Sequence, residues 1–307
     1  MKTCPLFSVC GGCQYDFTAP DYRAEKQKLI SDWQIDGAPF WAPVGARRRA
    51  DFCFSDGVCG FYARASKDIV PIKHCPNLVP EINAIIPKIA ALPWVGTGSA
   101  LITLCDNGID LTITSNVPYF TPEFKKAIEK LNLLRTTWNG AVVVATAQPK
   151  ITFGGHTVDF PSGAFLQPTE PSETAMRDFV IRHAAGARRV LDLFCGLGNF
   201  TFATHADGFD ISGTGVKRDL FKRPVPAKTL NNYDVVIMDP PRAGALEQTK
   251  ELARSNVAKI IYVSCNPATL RRDLRLLIGA GYQMTECTAF DQFVGSAHWE
   301  IATVFQK

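Results

Sequence analysis

The rhythm of apolar and polar positions changes near residue 160. Upstream, Tyr22, Lys26, Leu29, Ile30 and Trp33 recur at helical spacing with charges between them and predict a helix over 19–33. Short alternating runs predict strands at 52–54, 60–62 and 69–72. Leu101, Thr103 and Cys105 alternate before Asp106-Asn107-Gly108, and Ile109, Leu111 and Ile113 alternate after it, so 100–114 predicts a hairpin. Helices over 79–92 and 122–134, the second opening on Pro122, and strands at 141–145 and 151–153 complete an α+β half with mixed pairing.

Downstream, a loop over 160–169 leads into a helix over 172–183, and strands then alternate with helices. Apolar runs at 189–194, 235–238 and 260–264, helices over 246–256 and 269–278, and a last strand at 301–305 predict a mainly parallel sheet. Three of these runs end in polar, turn-forming residues: Cys195-Gly196-Leu197-Gly198-Asn199, Asp239-Pro240-Pro241-Arg242 and Ser264-Cys265-Asn266-Pro267. Open α/β sheets hold ligands outside the carboxyl ends of their strands. The three ends therefore predict a catalytic rim, with Cys265 as its nucleophile. Taken alone, Cys265 would read as a buried structural thiol; its company on the rim favours chemistry. Gly196 and Gly198 suit a turn that a ligand can approach closely, but no lysine or second glycine set follows, so this is not a P-loop. Glu300 enters an apolar strand. It reads either as a solvated or salt-bridged edge residue or as a general base whose pKa is raised by burial.

Length adds that 307 residues suffice for about two domains. No apolar run approaches the roughly 20 residues that span a bilayer, and the start lacks a signal-peptide core, so the chain is expected to be soluble and cytoplasmic. A net charge of +4 permits a polyanionic partner without implying one. Ten cysteines are many for such a chain and point to metal binding or chemistry rather than disulfides. Cys4, Cys10 and Cys13 follow the spacing C-x5-C-x2-C with Gly11 and Gly12 inside the tighter pair, and Cys75 lies in Lys73-His74-Cys75-Pro76. Four thiolates suit tetrahedral zinc, the commoner structural site, or an iron–sulfur cluster; unrelated reduced thiols are the third reading. Cys53, Cys59, Cys105 and Cys287 fall in apolar or alternating runs and read as core or incidental. Arg47-Arg48-Arg49 read either as phosphate contacts or as a solvated basic turn.

Together these residues resemble the S-adenosylmethionine-dependent RNA (uracil-C5)-methyltransferases, over nearly the whole chain. The resemblance is carried by C-x5-C-G-G-C, Arg-Arg-Arg-Ala, Asp-Ile-Val-x-Ile-x-x-Cys-Pro at 68–76, Phe-Leu-Gln at 165–167 and Asp-Leu-Phe-Cys-Gly-x-Gly-Asn-Phe. It continues through Asp-Pro-Pro-Arg-Ala-Gly, Ser-Cys-Asn-Pro and Asp-Gln-Phe-x-x-Ser-x-His-x-Glu, all in the family's order. It implies Cys265 as nucleophile and Glu300 as base. Gln167, Phe194, Asn199, Asp219 and Asp239 are implied at the methyl-donor site. Cys4, Cys10, Cys13 and Cys75 are implied as ligands of a [4Fe–4S] cluster, against the zinc preference drawn from spacing alone. The expected fold is a shortened Rossmann-like class I methyltransferase domain over 161–307, preceded over 1–160 by the cluster segment and an α+β RNA-binding central domain. The tail looks more like the 23S ribosomal RNA members than the transfer-RNA members. The expected substrate is thus ribosomal RNA, and the expected state is a monomer.

Two departures shape the expectation. The family often carries an OB-like domain before its cysteines; here Cys4 is almost at the start, so that domain is expected to be absent. Asn199 and Asp219 lie only 20 positions apart. The family fits more helices and strands there than this length can hold, at about 1.5 Å per helical and 3.3 Å per strand residue. At least one helix–strand unit must be missing or cut short. Asp210 stands at about the usual distance for a ribose partner, but it reads as beginning a run rather than ending one. An RNA-binding protein that has lost donor binding is therefore the alternative to an active methyltransferase, and a transfer-RNA enzyme is another.

Overall fold

The computed structural model describes residues 4–55 and 57–307. One sheet belongs to the first half. Its seven strands run, in spatial order, Ile69–Pro71, Val58–Tyr62, Arg49–Ser55, Thr97–Cys105, Gly108–Ser115, Arg135–Trp138 and Ala141–Ala145. Pairing is antiparallel except between Gly108–Ser115 and Arg135–Trp138. The predicted hairpin forms with Cys105 opposite Gly108. Alternate residues Ala50, Phe52, Phe54, Ala100, Ile102, Leu111 and Ile113 face one side and are buried there. Helices Pro80–Ala90 and Pro122–Ile128 cover that side with Ile82, Ile86, Ile89 and Phe124.

The second sheet has eight strands in the order Phe40–Trp41, Gln283–Asp291, Glu300–Gln306, Lys259–Ser264, Val235–Met238, Val190–Leu193, Asp207–Asp210 and Val216–Lys217. It is parallel apart from Glu300–Gln306, which runs against both neighbours. Val190–Leu193 and Val235–Met238 are buried at every position, as central strands covered on both faces must be. Apolar cores lie on each side of the sheet, one around Leu191, Val236, Ile260 and Phe305, the other around Met176, Val180, Ile237 and Val263. Phe40–Trp41 comes from the first half of the chain, so the N-terminal segment completes the edge of this sheet. Among the described residues no helix is long and apolar enough to cross a membrane.

The region expected to be short is short in a definite way. Helix Asn199–Thr204 has six residues, and only 211–215 connect the parallel strands Asp207–Asp210 and Val216–Lys217. A parallel crossover normally needs a dozen residues or more. This one closes because its second strand is two residues long, so the chain has little distance to return. The connection lies flat on the glycine turn, where Thr214 N donates to Gly196 O at 3.0 Å. Gly213, at φ +107°, allows this: a Cβ there would stand 1.9 Å from the Gly196 carbonyl oxygen.

The 19–33 helix is shorter than its periodicity suggests: Tyr22–Gln27 is α-helical and Lys28–Ile30 continues as a 3-10 turn. Gln283–Asp291 escapes the sequence pattern because its first half is mostly polar and only partly buried, and its buried half mixes Cys287, Ala289 and Phe290 with the charged Asp291. Asp207–Asp210 escapes it because two aspartates and a glycine leave no apolar signal.

Candidate active site

The registers bring the three predicted strand ends to one level. Leu193 pairs with Met238 and Met238 with Tyr262, while Ser264 pairs with Ile301. Cys265 directly follows Ser264 and Glu300 directly precedes Ile301, and the two are close enough for the Glu300 charge to act on the thiol. Above them opens a cleft of about 790 Å³ lined by Gln167, Phe194, Asn199, Asp219, Asp239, Cys265 and Glu300 among others. All seven residues singled out by sequence for nucleophile, base and donor binding thus border one space.

Their electrostatics are those of crowded acids. Burial pushes the Cys265 thiol up to about 12, the Glu300 and Asp239 charges push the same way, and Arg242 opposes them. Glu300 is 3 % exposed; burial and then Asp239 raise its pKa well above the usual carboxylate range. Gln292 Nε2 donates to Glu300 Oε2 at 2.5 Å and fixes the carboxylate. Burial and the neighbouring Asp192 raise Asp239 to about 7. Asp192 lies beneath the glycine turn, fully buried and also raised to about 7 by burial; Thr201 Oγ1 donates to its Oδ2 at 2.6 Å.

Polar capacity is left over at the cleft. Gln167 Nε2 reaches Asp239 Oδ2 at 3.4 Å, and Gln167 Oε1 is buried with no hydrogen-bond partner among the described residues. Such an acceptor is costly unless a ligand satisfies it. A Cβ on Gly196 would meet nothing within 4 Å, so space stands open over the turn. Phe194, at φ +64°, and Phe221 set their rings 5.5 Å apart as an apolar wall. The site therefore fits a methyl donor that has an aromatic end and polar groups.

Two acidic residues beside the glycine turn have defined surroundings. Asp210 ends its strand, borders the cleft and accepts from Gly196 N at 3.0 Å; reading it as the start of a run was wrong because the strand begins at Asp207. Asp219 borders the cleft, but its Oδ1 accepts from Phe221 N and Lys222 N at 3.1 and 3.3 Å, so half of its carboxylate is spent on its own turn. Sequence reasoning missed Gln292, Phe221 and His298 as site residues. Gln292 and His298 stood in the quoted Asp-Gln-Phe and Ser-x-His-x-Glu, but no periodicity marks a side chain that holds another.

The arginine run does not present a phosphate-binding face. Arg48 is 7 % exposed; its Nη2 donates to Glu173 Oε2 at 2.7 Å and its Nε to Gln167 O at 3.1 Å. Arg49 Nη1 donates to Leu166 O at 2.9 Å, and Arg47 Nε to Arg49 O at 3.0 Å. The run clasps the 165–167 loop to the first sheet. Arg48→Ala leaves Glu173 buried and unpaired, so we expect a loss of about 3–5 kcal/mol in urea unfolding. A solvated, RNA-facing arginine would cost at most about 0.5 kcal/mol.

Cys4, Cys10, Cys13 and Cys75 are half-buried and near enough to feel one another's charge: Cys75, Cys10 and Cys4 all raise Cys13, after burial, to about 12. Gly12 N donates to Cys10 Sγ at 3.4 Å and Asn77 Nδ2 to Cys13 Sγ at 3.7 Å. Donors aimed at sulfur and four mutually repelling thiols suit a cationic metal centre, which would favour the thiolates. Among the described residues, however, no three Cys, His, Asp or Glu side chains stand in metal-holding geometry.

Residues 216–307 match the family model described as tRNA (uracil-5-)-methyltransferase. An RNA methyltransferase of Rhizobium meliloti is 38 % identical over 343 residues, covering 97 % of this chain and 82 % of the relative. The 23S rRNA (uracil(1939)-C(5))-methyltransferase of Salmonella paratyphi A is 28 % identical over 353 residues, covering 99 % and 81 %. The tRNA (uracil-54, C5)-methyltransferase of Pyrococcus abyssi, solved with S-adenosyl-L-homocysteine, superposes with a TM-score of 0.75 over 94 % of this chain and 83 % of that one, at 19 % identity.

Proposed function

Because the chain belongs to the S-adenosylmethionine-dependent RNA (uracil-C5)-methyltransferase family, we propose that it methylates C5 of a uridine in 23S ribosomal RNA through a covalent Cys265 adduct. The observation that carries this is that Cys265 and Glu300, at the paired ends of Lys259–Ser264 and Glu300–Gln306, line one cleft with Gln167, whose Oε1 has no hydrogen-bond partner among the described residues. Support for ribosomal RNA comes from the Salmonella relative, which aligns with nearly the whole chain.

The C5 carbon of uracil is too weak a nucleophile to take a methyl group unaided. Cys265 Sγ, after losing its proton, adds to C6 and makes C5 enolate-like. Bound S-adenosylmethionine would supply an electrophilic methyl group to C5, its S–CH3 bond breaking so that S-adenosylhomocysteine leaves. Once C5 carries that methyl, Glu300 takes the C5 proton, the C5–C6 double bond re-forms, and the C6–S bond breaks to free Cys265. Burial and Asp239 raise the affinity of Glu300 for this proton. Arg242 favours the thiolate against its acidic neighbours. The target base must leave its stack to reach Cys265, which suits loops in structured RNA. The donor is held by Phe194, Asn199, Asp210 and Asp219 around the Gly196 turn, with Gln167 and Asp239 between donor and base. Residues 1–160 form the RNA-facing part and 161–307 the methyltransferase domain, and the chain acts as a monomer. Cys4, Cys10, Cys13 and Cys75 would be the residues that hold a [4Fe–4S] cluster.

Calorimetric titration with S-adenosylhomocysteine tests whether the short Asn199–Lys217 region still supports a donor site. Micromolar affinity is expected; no binding to folded protein would favour an RNA-binding role without catalysis. Methyl transfer to 23S rather than transfer RNA, mapped to a single uridine, tests the substrate. Anaerobically purified protein is expected to be brown with about four irons per chain; a colourless protein with one zinc would overturn the cluster.

A further inference from the structure

Lys26 is a lysine with no exposure at all. Its helix, Tyr22–Gln27, packs far from its sequence neighbours, against the loop that joins the strands Gln283–Asp291 and Glu300–Gln306. That loop supplies Phe293 and His298 to the cleft, and the strand after it opens on Glu300. Lys26 Nζ forms an ion pair with Asp291, itself 1 % exposed, and donates to the Phe293 carbonyl at 2.9 Å. Its ammonium lies 5.2 Å from the Trp299 ring centroid, and Trp299 Nε1 donates back to the Lys26 carbonyl at 3.0 Å. One residue therefore touches both ends of the loop.

Tyr22, one helical turn away, adds two more ties. Its hydroxyl donates to Asp291 Oδ2 at 2.7 Å and accepts from Gly295 N at 2.9 Å. Gln14 N and Tyr15 N donate to Gly295 O at 2.7 and 2.9 Å, and Ala297 N donates to Gln14 Oε1 at 2.6 Å. The residue after Asp291 is Gln292, whose amide holds Glu300. Glu300 follows Trp299 directly. Asp291 of the ion pair thus sits one residue before Gln292, and Trp299, which packs on the same lysine, sits one residue before Glu300 itself.

A buried ion pair is a poor device for stability alone, because desolvation consumes most of its attraction. It is directional, however, and holds a loop in one geometry. We infer that Lys26, with Tyr22, is a positioning residue for Glu300: the N-terminal helix holds the 291–300 loop so that Gln292 and Glu300 face the C5 proton. This rests on the assignment of Glu300 as the base. It makes the N-terminal segment part of the machinery for the last chemical step, not only of RNA binding.

The steps are separable, which gives the test. In single-turnover reactions, RNA labelled with tritium at uridine C5 reports proton removal, and denaturing gels report the covalent adduct. Wild-type protein should form the adduct and release tritium; if it forms none, the covalent reading fails, and the positioning claim falls with it. Lys26→Met is expected to form methylated adduct within about threefold of the wild-type rate but to release tritium at least tenfold more slowly. Tyr22→Phe should show the same split to a smaller extent. If Lys26→Met does not fold, Lys26→Met with Asp291→Leu removes the stranded charge and should still release slowly. Equal slowing of adduct formation and release in folded variants would reduce Lys26 to a structural role. Unchanged release in both would overturn the inference outright.

Discussion

Cys265→Ala is expected to stop methyl transfer while leaving donor binding nearly intact. Without the thiolate there is no adduct at C6, and C5 has no enolate character with which to attack. Loss of a nucleophile in covalent catalysis costs roughly 10⁴–10⁶ in turnover. The donor contacts assigned to Phe194, Asn199 and Gln167 do not involve the sulfur, so S-adenosylhomocysteine should bind within about threefold of the unmodified protein. The substitution should also be tolerated structurally. Cys265 is only half-buried, and the fold loses one sulfur at the edge of an open cleft, far less than a core truncation. Measurable methylation by Cys265→Ala would remove the covalent mechanism; lost donor binding would mean that the rim had collapsed.

Glu300→Gln should separate the two halves of the reaction. Addition and methylation can proceed, but no base removes the C5 proton, so elimination stalls and a protein–RNA adduct carrying the methylated base should accumulate. Turnover should fall by about 10²–10⁴. Rapid release of methylated RNA would exclude Glu300 as the required base. The same variant should be more stable than the unmodified protein, with a defined pH dependence. Burial and Asp239 raise the Glu300 pKa in the folded state. The folded protein therefore holds this proton more tightly than the unfolded chain. Its contribution to stability is complete below the unfolded value near 4.3 and is lost as pH rises towards the folded value. Glutamine stays neutral throughout. Its advantage in melting temperature should be absent at pH 4, grow as pH rises and then level off. An advantage independent of pH would mean that packing, not charge, is responsible.

The rim was legible because it is written locally. Val235–Met238 and residues 260–263 are continuous hydrophobic runs that stop at proline or small polar residues, and that succession of core and stop needs no knowledge of partners. The order of the motifs likewise survives in one dimension, which is why Cys265, Glu300, Gln167, Phe194, Asn199, Asp219 and Asp239 could be named together. The length of 199–219 also foretold a reduced sheet, since rise per residue is fixed by backbone geometry.

Tertiary structure alone decided where charge goes. Nothing local distinguishes an arginine that meets phosphate from Arg48, whose partner Glu173 is 125 residues away. Lys26 fits a helical face by spacing, yet its burial depends on Asp291, 265 residues on. Asp210 became a cleft residue only when its strand paired with Val190–Leu193 and set its carboxylate beside Gly196. Gln292 took hold of Glu300 only when the two strands that flank their loop came into register. Apolar burial is additive and leaves its period in the sequence. A buried charge or amide is stable only with a specific partner in place, and that partner is chosen by the fold.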